Sequence, residues 1–305
     1  MWWSSIQGVT RPLFLSGLPD RVMQEIEPHE MTKRGTVDAL IEDMDKYGVD
    51  IACLLPESMM ETTNYSQRWS TNADAQKWYE MHPDRFLVQP NLSPIKFRGV
   101  KNCIFELVYW VKEKGAKIFK YYPPEDTYMN DPELWPFYEK AQELGIVLDM
   151  HTGASWVPPG KTKYCHPDQL DDVARDFPEL KINAFHMGYP YCDQLNLIAA
   201  THPNVYISTS LLTPWGVTAP RTFAKMIGEA LRFAGPDKIT WGTDYVGFAI
   251  SYKLSVEGIR GLEIPEDMQK GHGYPALTDE IKGKIFGGNL ARLLGIDTTK
   301  RRVPA

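Results

Sequence analysis

No stretch of this 305-residue sequence approaches the run of about 18 apolar residues that a membrane-spanning helix needs, because charge, glycine or proline breaks every apolar segment. Membrane insertion is excluded on that ground. Cysteine is scarce: Cys53, Cys103, Cys165 and Cys192 are scattered without a C-x-x-C pair, in a chain too long to need stapling. Reduced thiols and a cytoplasmic protein are expected, and Met1–Gln7 lacks the basic and apolar regions of a secretory signal. An excess of positive charge is also missing. Lys and Arg number 33 against 39 Asp and Glu, a net charge of −6, which gives no electrostatic footprint for nucleic acid. No G-x-G-x-x-G follows any predicted strand, so the strongest argument for a dinucleotide-binding open sheet is absent.

Hydrophobic residues make up 43% and charged residues 24% of the chain, enough apolar material for a sizeable core. From Thr36 onward, short β-branched or aromatic runs alternate with longer segments at helical period, the pattern of a parallel sheet with crossover helices. Strands are predicted at 50–56, 86–90, 116–121, 146–151, 181–186, 204–208 and 238–243. Helices are predicted at 37–47, 72–81, 100–114, 132–144, 167–176, 193–201, 220–233 and 278–294. Gly48, Gly115 and Gly145 follow three of these helices, where a left-handed residue closes the last turn, and Pro132 suits a first turn.

Such β-then-α units build either an open doubly wound sheet or a closed (β/α)₈ barrel. A barrel needs an eighth strand before Val37, and the segment 8–15 is a poor one, since Pro12 cannot donate to a central ladder. The expected architecture is a single (β/α)₈ barrel domain over 1–305, with an irregular segment 1–35 and a first strand that is atypical or truncated. The stretch 245–276 is expected to be loop at the active face, and 298–305 a solvated end.

Polar residues close three of the predicted strands: His151 before Thr152-Gly153, His186 before Met187-Gly188, and Asp244 after Gly242-Thr243. Ionisable groups at the C-terminal strand ends of a barrel point into one mouth. Two imidazoles and a carboxylate also suit Zn, Mn or Fe. A single histidine there is more often a hydrogen-bonded core residue; three in register favour function. Lys120, ending a strand, could clamp a substrate carboxylate or pair with a loop acid, and Lys117 is read as structural. Glu57 and Asn91 face the same mouth as substrate-binding or loop-capping groups. Trp156, Tyr164 and His166 follow His151, while Tyr245 and Phe248 follow Asp244, so an aromatic or cyclic substrate would fit the walls; rim packing explains them equally well. His29, His82, His202 and His272 are given no role.

Several stretches together resemble the second amidohydrolase family, the branch with aminocarboxymuconate-semialdehyde decarboxylase and the dihydroxybenzoate decarboxylases. They are Met44-Asp45-Lys46-Tyr47-Gly48-Val49-Asp50, His82-Pro83-Asp84-Arg85-Phe86, the run from Lys117 to Pro124, the run from Ala141 to Gly153, Trp241-Gly242-Thr243-Asp244-Tyr245, and the closing run from Gly287 to Gly295. The resemblance spans about 32–296. It implies a barrel in which His151 is the strand-five metal ligand, His186 the strand-six histidine beside the metal, and Asp244 the strand-eight carboxylate, with His186 or Asp244 taking the proton in catalysis. It implies a divalent metal ion, a small-molecule substrate and a homo-oligomer. The family also carries an H-x-H or E-x-H pair on its first strand; no such pair is read anywhere in this chain, and His29-Glu30 comes too late and with the wrong spacing to substitute. Either strand one lies upstream of the given start or half of the first metal shell is lost.

Two reactions share this constellation. Hydrolysis of a small, carboxylated cyclic or aromatic substrate is the first expectation and non-oxidative decarboxylation the second. A catalytically inactive binding protein is the third reading, motivated by the unassigned first-strand pair.

Overall fold

The computed structural model describes residues 36–56, 71–155, 159–244, 252–300 and 302. These fall into two compact units, one built from 51–208 and 290–302, the other from 209–289 with the segment before Ile51. The expected strand at 8–15 lies outside the described residues.

In the first unit six strands follow one another with helices between them: β1 (Ala52–Leu54), β2 (Phe86–Val88), β3 (Ile118–Tyr121), β4 (Val147–Met150), β5 (Lys181–Ala184) and β6 (Val205–Ser208). The strands pair in parallel with their chain neighbours: Cys53 with Leu87, Lys120 with Asp149, Asp149 with Asn183, and Asn183 with Tyr206. A bridge between Asn91 and Lys120 joins the continuation of β2 to β3. Sequential parallel order with helical crossovers is how a β/α-barrel wall is laid down.

Alternate residues of a strand share a face, so each strand writes its layers in steps of two. The lowest layer is apolar. Ile118 and Val147 pack with Leu294 of the helix Asn289–Leu294, and Cys53, Leu87, Leu290, Leu293 and Ile296 complete the cluster. Lys117 belongs to this closure, its ammonium donating to the Leu294 carbonyl at 2.9 Å, the structural part expected of it.

Helices hold the strands through ordinary devices. Thr71 and Asp74 form a reciprocal capping box at the start of Asn72–Met81. Val100–Lys114 buries Cys103, Leu107 and Trp110 and ends at Gly115 in the left-handed region. Asn204 Nδ2 donates to the carbonyls of Ala174, Phe177 and Leu180 at 2.9–3.3 Å, tying the start of β6 to the end of the helix Gln169–Asp176.

The second unit carries β7 (Ile239–Thr240) and the helices Val37–Tyr47, Trp215–Thr218 and Pro220–Phe233. Thr209 N–H donates to the Thr240 carbonyl at 2.9 Å. Here the expected loop 245–276 is corrected: its described part holds two helices, Tyr252–Arg260 and Glu266–His272. The buried face of the first includes Ser255 and Gly258 among Tyr252, Val256 and Ile259, so small and polar residues interrupt the apolar period. Gly258 is there for proximity, since a Cβ on it would lie 1.7 Å from the Thr213 carbonyl oxygen. The closing helix expected at 278–294 is also interrupted. Asp279–Gly283 and Asn289–Leu294 flank a wider π-type turn, Lys284–Gly288, after which Asn289 Nδ2 reaches the carbonyls of Pro236 and Ile239 at 2.8 and 2.7 Å. Among the described residues no helix is long and apolar enough to cross a membrane.

Candidate active site

One step above the apolar floor the same strands change character. Gln89, Lys120, Asp149 and Asn183 are all buried, and the last three stand in direct register across β3, β4 and β5. Gln89 Nε2 donates to Asp149 Oδ2 at 2.7 Å and Asn183 Nδ2 donates to Oδ1 at 2.9 Å. Burial raises the Asp149 carboxyl to about 7, against the two amide hydrogen bonds and the Lys120 charge, which pull it down. The Lys120 ammonium lies 3.5 Å from the centre of the Phe185 ring, a close cation–π contact.

Another step along β4 brings His151 to the strand end, where it packs edge-on against Tyr122 at 4.9 Å. Its Nε2 is 2.9 Å from the Ala154 carbonyl oxygen. A carbonyl only accepts, so Nε2 carries the hydrogen and Nδ1 presents its lone pair. That lone pair meets His186 Nε2 at 3.1 Å. Burial first, and the Lys120 charge second, push His151 down to about 3, which keeps it neutral.

His186 is held by a strained turn. It and Met187 have φ of 61° and 51°, left-handed backbone that costs a side-chain-bearing residue energy and persists where surroundings enforce it. Thr152 Oγ1 donates to the Phe185 carbonyl at 2.6 Å, and Tyr189 N–H donates to the His186 carbonyl at 2.9 Å. Gly153 lets the turn come close: a Cβ there would sit 2.1 Å from the Tyr189 carbonyl oxygen. Asp244, in the second compact unit beyond β7, shares the left-handed backbone with φ of 56°.

Of the residues singled out in the sequence, the structure therefore brings His151, His186 and Lys120 to one end of β3–β5. Asn91 is buried beside them, and its Oδ1 accepts the Ser93 N–H at 2.9 Å while its backbone exchanges hydrogen bonds with the Asn72 side chain, a loop-shaping part. Glu57, Trp156, Tyr245 and Phe248 lie outside the described residues. Asp149, Gln89 and Asn183 were missed, although Asp149 stands two residues before His151 on one strand and so shares its face.

Whether these residues suit a divalent metal can be read from the histidines. A ligating imidazole donates its other N–H to a carbonyl or carboxylate, as His151 does to Ala154. Two nitrogens bound to one tetrahedral zinc at about 2.0–2.1 Å stand about 3.3 Å apart. The facing nitrogens of His151 and His186, at 3.1 Å, are close to that spacing, and His151 is in its neutral, ligating form. The pair fits as two ligands; among the described residues no third His, Cys, Asp or Glu converges with them. On the missing first-strand pair the sequence reading needs a correction, because two E-x-H triplets do occur. Glu80-Met81-His82 closes the helix Asn72–Met81 and so is not carried on a strand, and Glu27-Pro28-His29 lies outside the described residues.

Comparisons with known proteins bear on the fold and the family. No curated protein shows significant similarity. Among solved structures, an uncharacterized TIM-barrel protein from Bordetella bronchiseptica matches at 21% identity and TM-score 0.70, covering 97% of this chain and 94% of the other. The 2,6-dihydroxybenzoate decarboxylase from Rhizobium matches at 16% identity and TM-score 0.63, over 85% and 88% of the two chains. The 4-oxalomesaconate hydratase from Rhodopseudomonas palustris matches at 21% and 0.58, over 96% and 90%. At such identities the likeness shows the fold, and that fold is the (β/α)₈ barrel expected from the strand order. The profile of a family described as amidohydrolase matches residues 30–296, and the chain therefore belongs to this amidohydrolase family of enzymes.

Proposed function

We propose that the protein is a metal-dependent hydrolase for a small, carboxylated cyclic or aromatic substrate. The observation that carries the reading is the buried Lys120 ammonium lying on the Phe185 ring and within electrostatic reach of His151. A cation in a low-dielectric pocket attracts an anionic group far more strongly than one in water. Lys120 would take the substrate carboxylate, Phe185 and Tyr122 would wall its ring, and the desolvated surroundings would exclude stray water. His151 Nδ1 and His186 Nε2 would hold the divalent cation, which supplies Lewis-acid polarisation of a substrate oxygen when bound. A His186 bound through Nε2 already carries its hydrogen on Nδ1, so it would hold the cation rather than take the proton.

Decarboxylation is the second reading, favoured by the same Lys120–Phe185 contact: a carboxylate drawn from water into that environment is primed to leave as carbon dioxide, and Asp149, raised to about 7, is a nearby store of a proton. Both readings need the metal. Elemental analysis of the purified protein and of His151→Ala is expected to find about one transition metal per chain in the first and a loss in the second. Metal-free protein in both overturns metal dependence and favours a binding protein. With metal established, release of carbon dioxide from a panel of benzoates, or of acid from lactones and amides, separates the two reactions.

A further inference from the structure

The loops that leave β3 and β4, at the strand ends where Tyr122 and His151 stand, carry a second group of cations and rings. Lys163 Nζ lies 5.5 Å from the Tyr128 ring centre and 5.2 Å from that of Tyr164, and Lys161 Nζ lies 5.2 Å from Tyr164. The two tyrosine rings meet edge to face at 4.8 Å. Tyr128 is 41% exposed and both lysines are exposed, so the group opens to solvent.

Three observations mark it as more than a scatter of surface side chains. First, it is braced from within. The Gln169 side chain accepts the Met129 N–H at 2.7 Å and donates to the Lys163 carbonyl at 2.7 Å, locking the Tyr128 loop to the Lys163 loop, and Lys161 N–H donates to the Pro124 carbonyl at 2.8 Å. Second, neither lysine makes an ion pair among the described residues, in a chain with six more acids than bases. Five acids nearby are engaged elsewhere: Asp126 with the N–H groups of Ile95, Lys96 and Phe97, Asp131 with Lys96, Asp168 with His166, Asp171 with His202, and Asp172 with Arg175 and Asn130. Third, the loop bearing the lysines starts at His151 and is pinned at its base by Gly153 N–H on the Cys165 carbonyl at 2.7 Å.

We propose that Lys161, Lys163, Tyr128 and Tyr164 form an outer reception site for a small aromatic carboxylate, which gathers it before it passes to Lys120. The ammonium pair meets the carboxylate and the tyrosines offer ring faces and edges to the aromatic part. This rests on the reading that the substrate is carboxylated, and the test is built to separate the two. Benzoate is the probe, and its binding is followed by ligand-observed NMR at about 10 mM and about 0.3 M salt, between which the Debye length falls from about 30 Å to about 6 Å. The double variant Lys161→Gln, Lys163→Gln is expected to bind benzoate about tenfold more weakly at low salt, the low end of what charge-lined approaches deliver, and to converge with the wild type at high salt. The two lysines contribute only backbone atoms to the loop bracing, so the variant is expected to keep its melting temperature. Unchanged affinity and salt dependence in the double variant overturn the reception site, as does a wild type that ignores benzoate. Lys120→Met separates the readings: lost binding there with an indifferent double variant keeps the carboxylate reading and removes the outer site. The reverse pattern keeps the outer site and removes Lys120 as the carboxylate ligand.

Discussion

Two layers of neighbouring strands, two residues apart along β2, β3 and β4, are built on opposite principles. The lower layer, Cys53, Leu87, Ile118 and Val147, is apolar and gains its stability by leaving water. The upper layer, Gln89, Lys120, Asp149 and Asn183, is polar, equally withdrawn from water, and holds together only because its groups satisfy one another. A hydrophobic layer there would be at least as stable, since buried ion pairs seldom beat well-packed hydrocarbon. A fold that spends burial on charge at the level just beneath His151 and His186 is therefore organised around the site, and the apolar floor supplies the stability that the upper layer forgoes.

The widest break in this contrast comes from Asp149→Ala. It strips the Gln89 and Asn183 amides of their acceptor, so denaturant unfolding near pH 7 should show a loss of about 3–5 kcal/mol, from two buried donors left unsatisfied at about 1–3 kcal/mol each. A milder and more diagnostic change is Asp149→Asn. The folded carboxyl titrates at about 7 against 3.8 ordinarily, so its contribution to stability is complete below about 4 and is lost as pH rises through 7. Asn cannot ionise, and His151, common to both proteins, cancels in the difference. Wild type is thus expected to lose up to about 4 kcal/mol relative to Asp149→Asn between pH 4 and pH 8, read from paired urea titrations; a flat difference would mean that the carboxylate is not held protonated. The smallest effect belongs to the lower layer: Ile118→Val should cost about 0.5–1.5 kcal/mol with metal content and turnover unchanged, which keeps the two layers distinct in their work.

Much of this was legible in the sequence, for local reasons. The helices at 37–47, 72–81, 100–114 and 220–233 have the expected bounds, because each carries a local signal at its ends: Thr36 and Gly48, the Thr71–Asp74 box, Gly99 and Gly115, and Pro220 in a first turn. All seven expected strands are present, their apolar runs too short for anything else. Tyr252–Arg260 was hidden because its packing face uses Ser255 and Gly258, chosen for close approach to another backbone, and composition alone reads such residues as loop. In the site, His151 and His186 stood out as histidines closing apolar runs. Asp149 did not, since an acid inside a strand is conspicuous only after one asks which neighbours share its face and could neutralise it. Gln89 and Asn183 belong to other strands, and no local pattern connects them to Asp149; register does.

The floor under β1–β4 has a bearing on how the protein is made. Leu290, Leu293, Leu294 and Ile296 are translated after every strand they cover. While the ribosome is still reading the middle of the message, Ile118 and Val147 face solvent, and the charged layer above them has water beneath it as well as above. The nascent strands can pair, but they cannot become dry until the last helix arrives. For this chain the low-dielectric environment that gives Lys120 and Asp149 their chemistry is switched on late, by a segment that contributes no reactive group of its own.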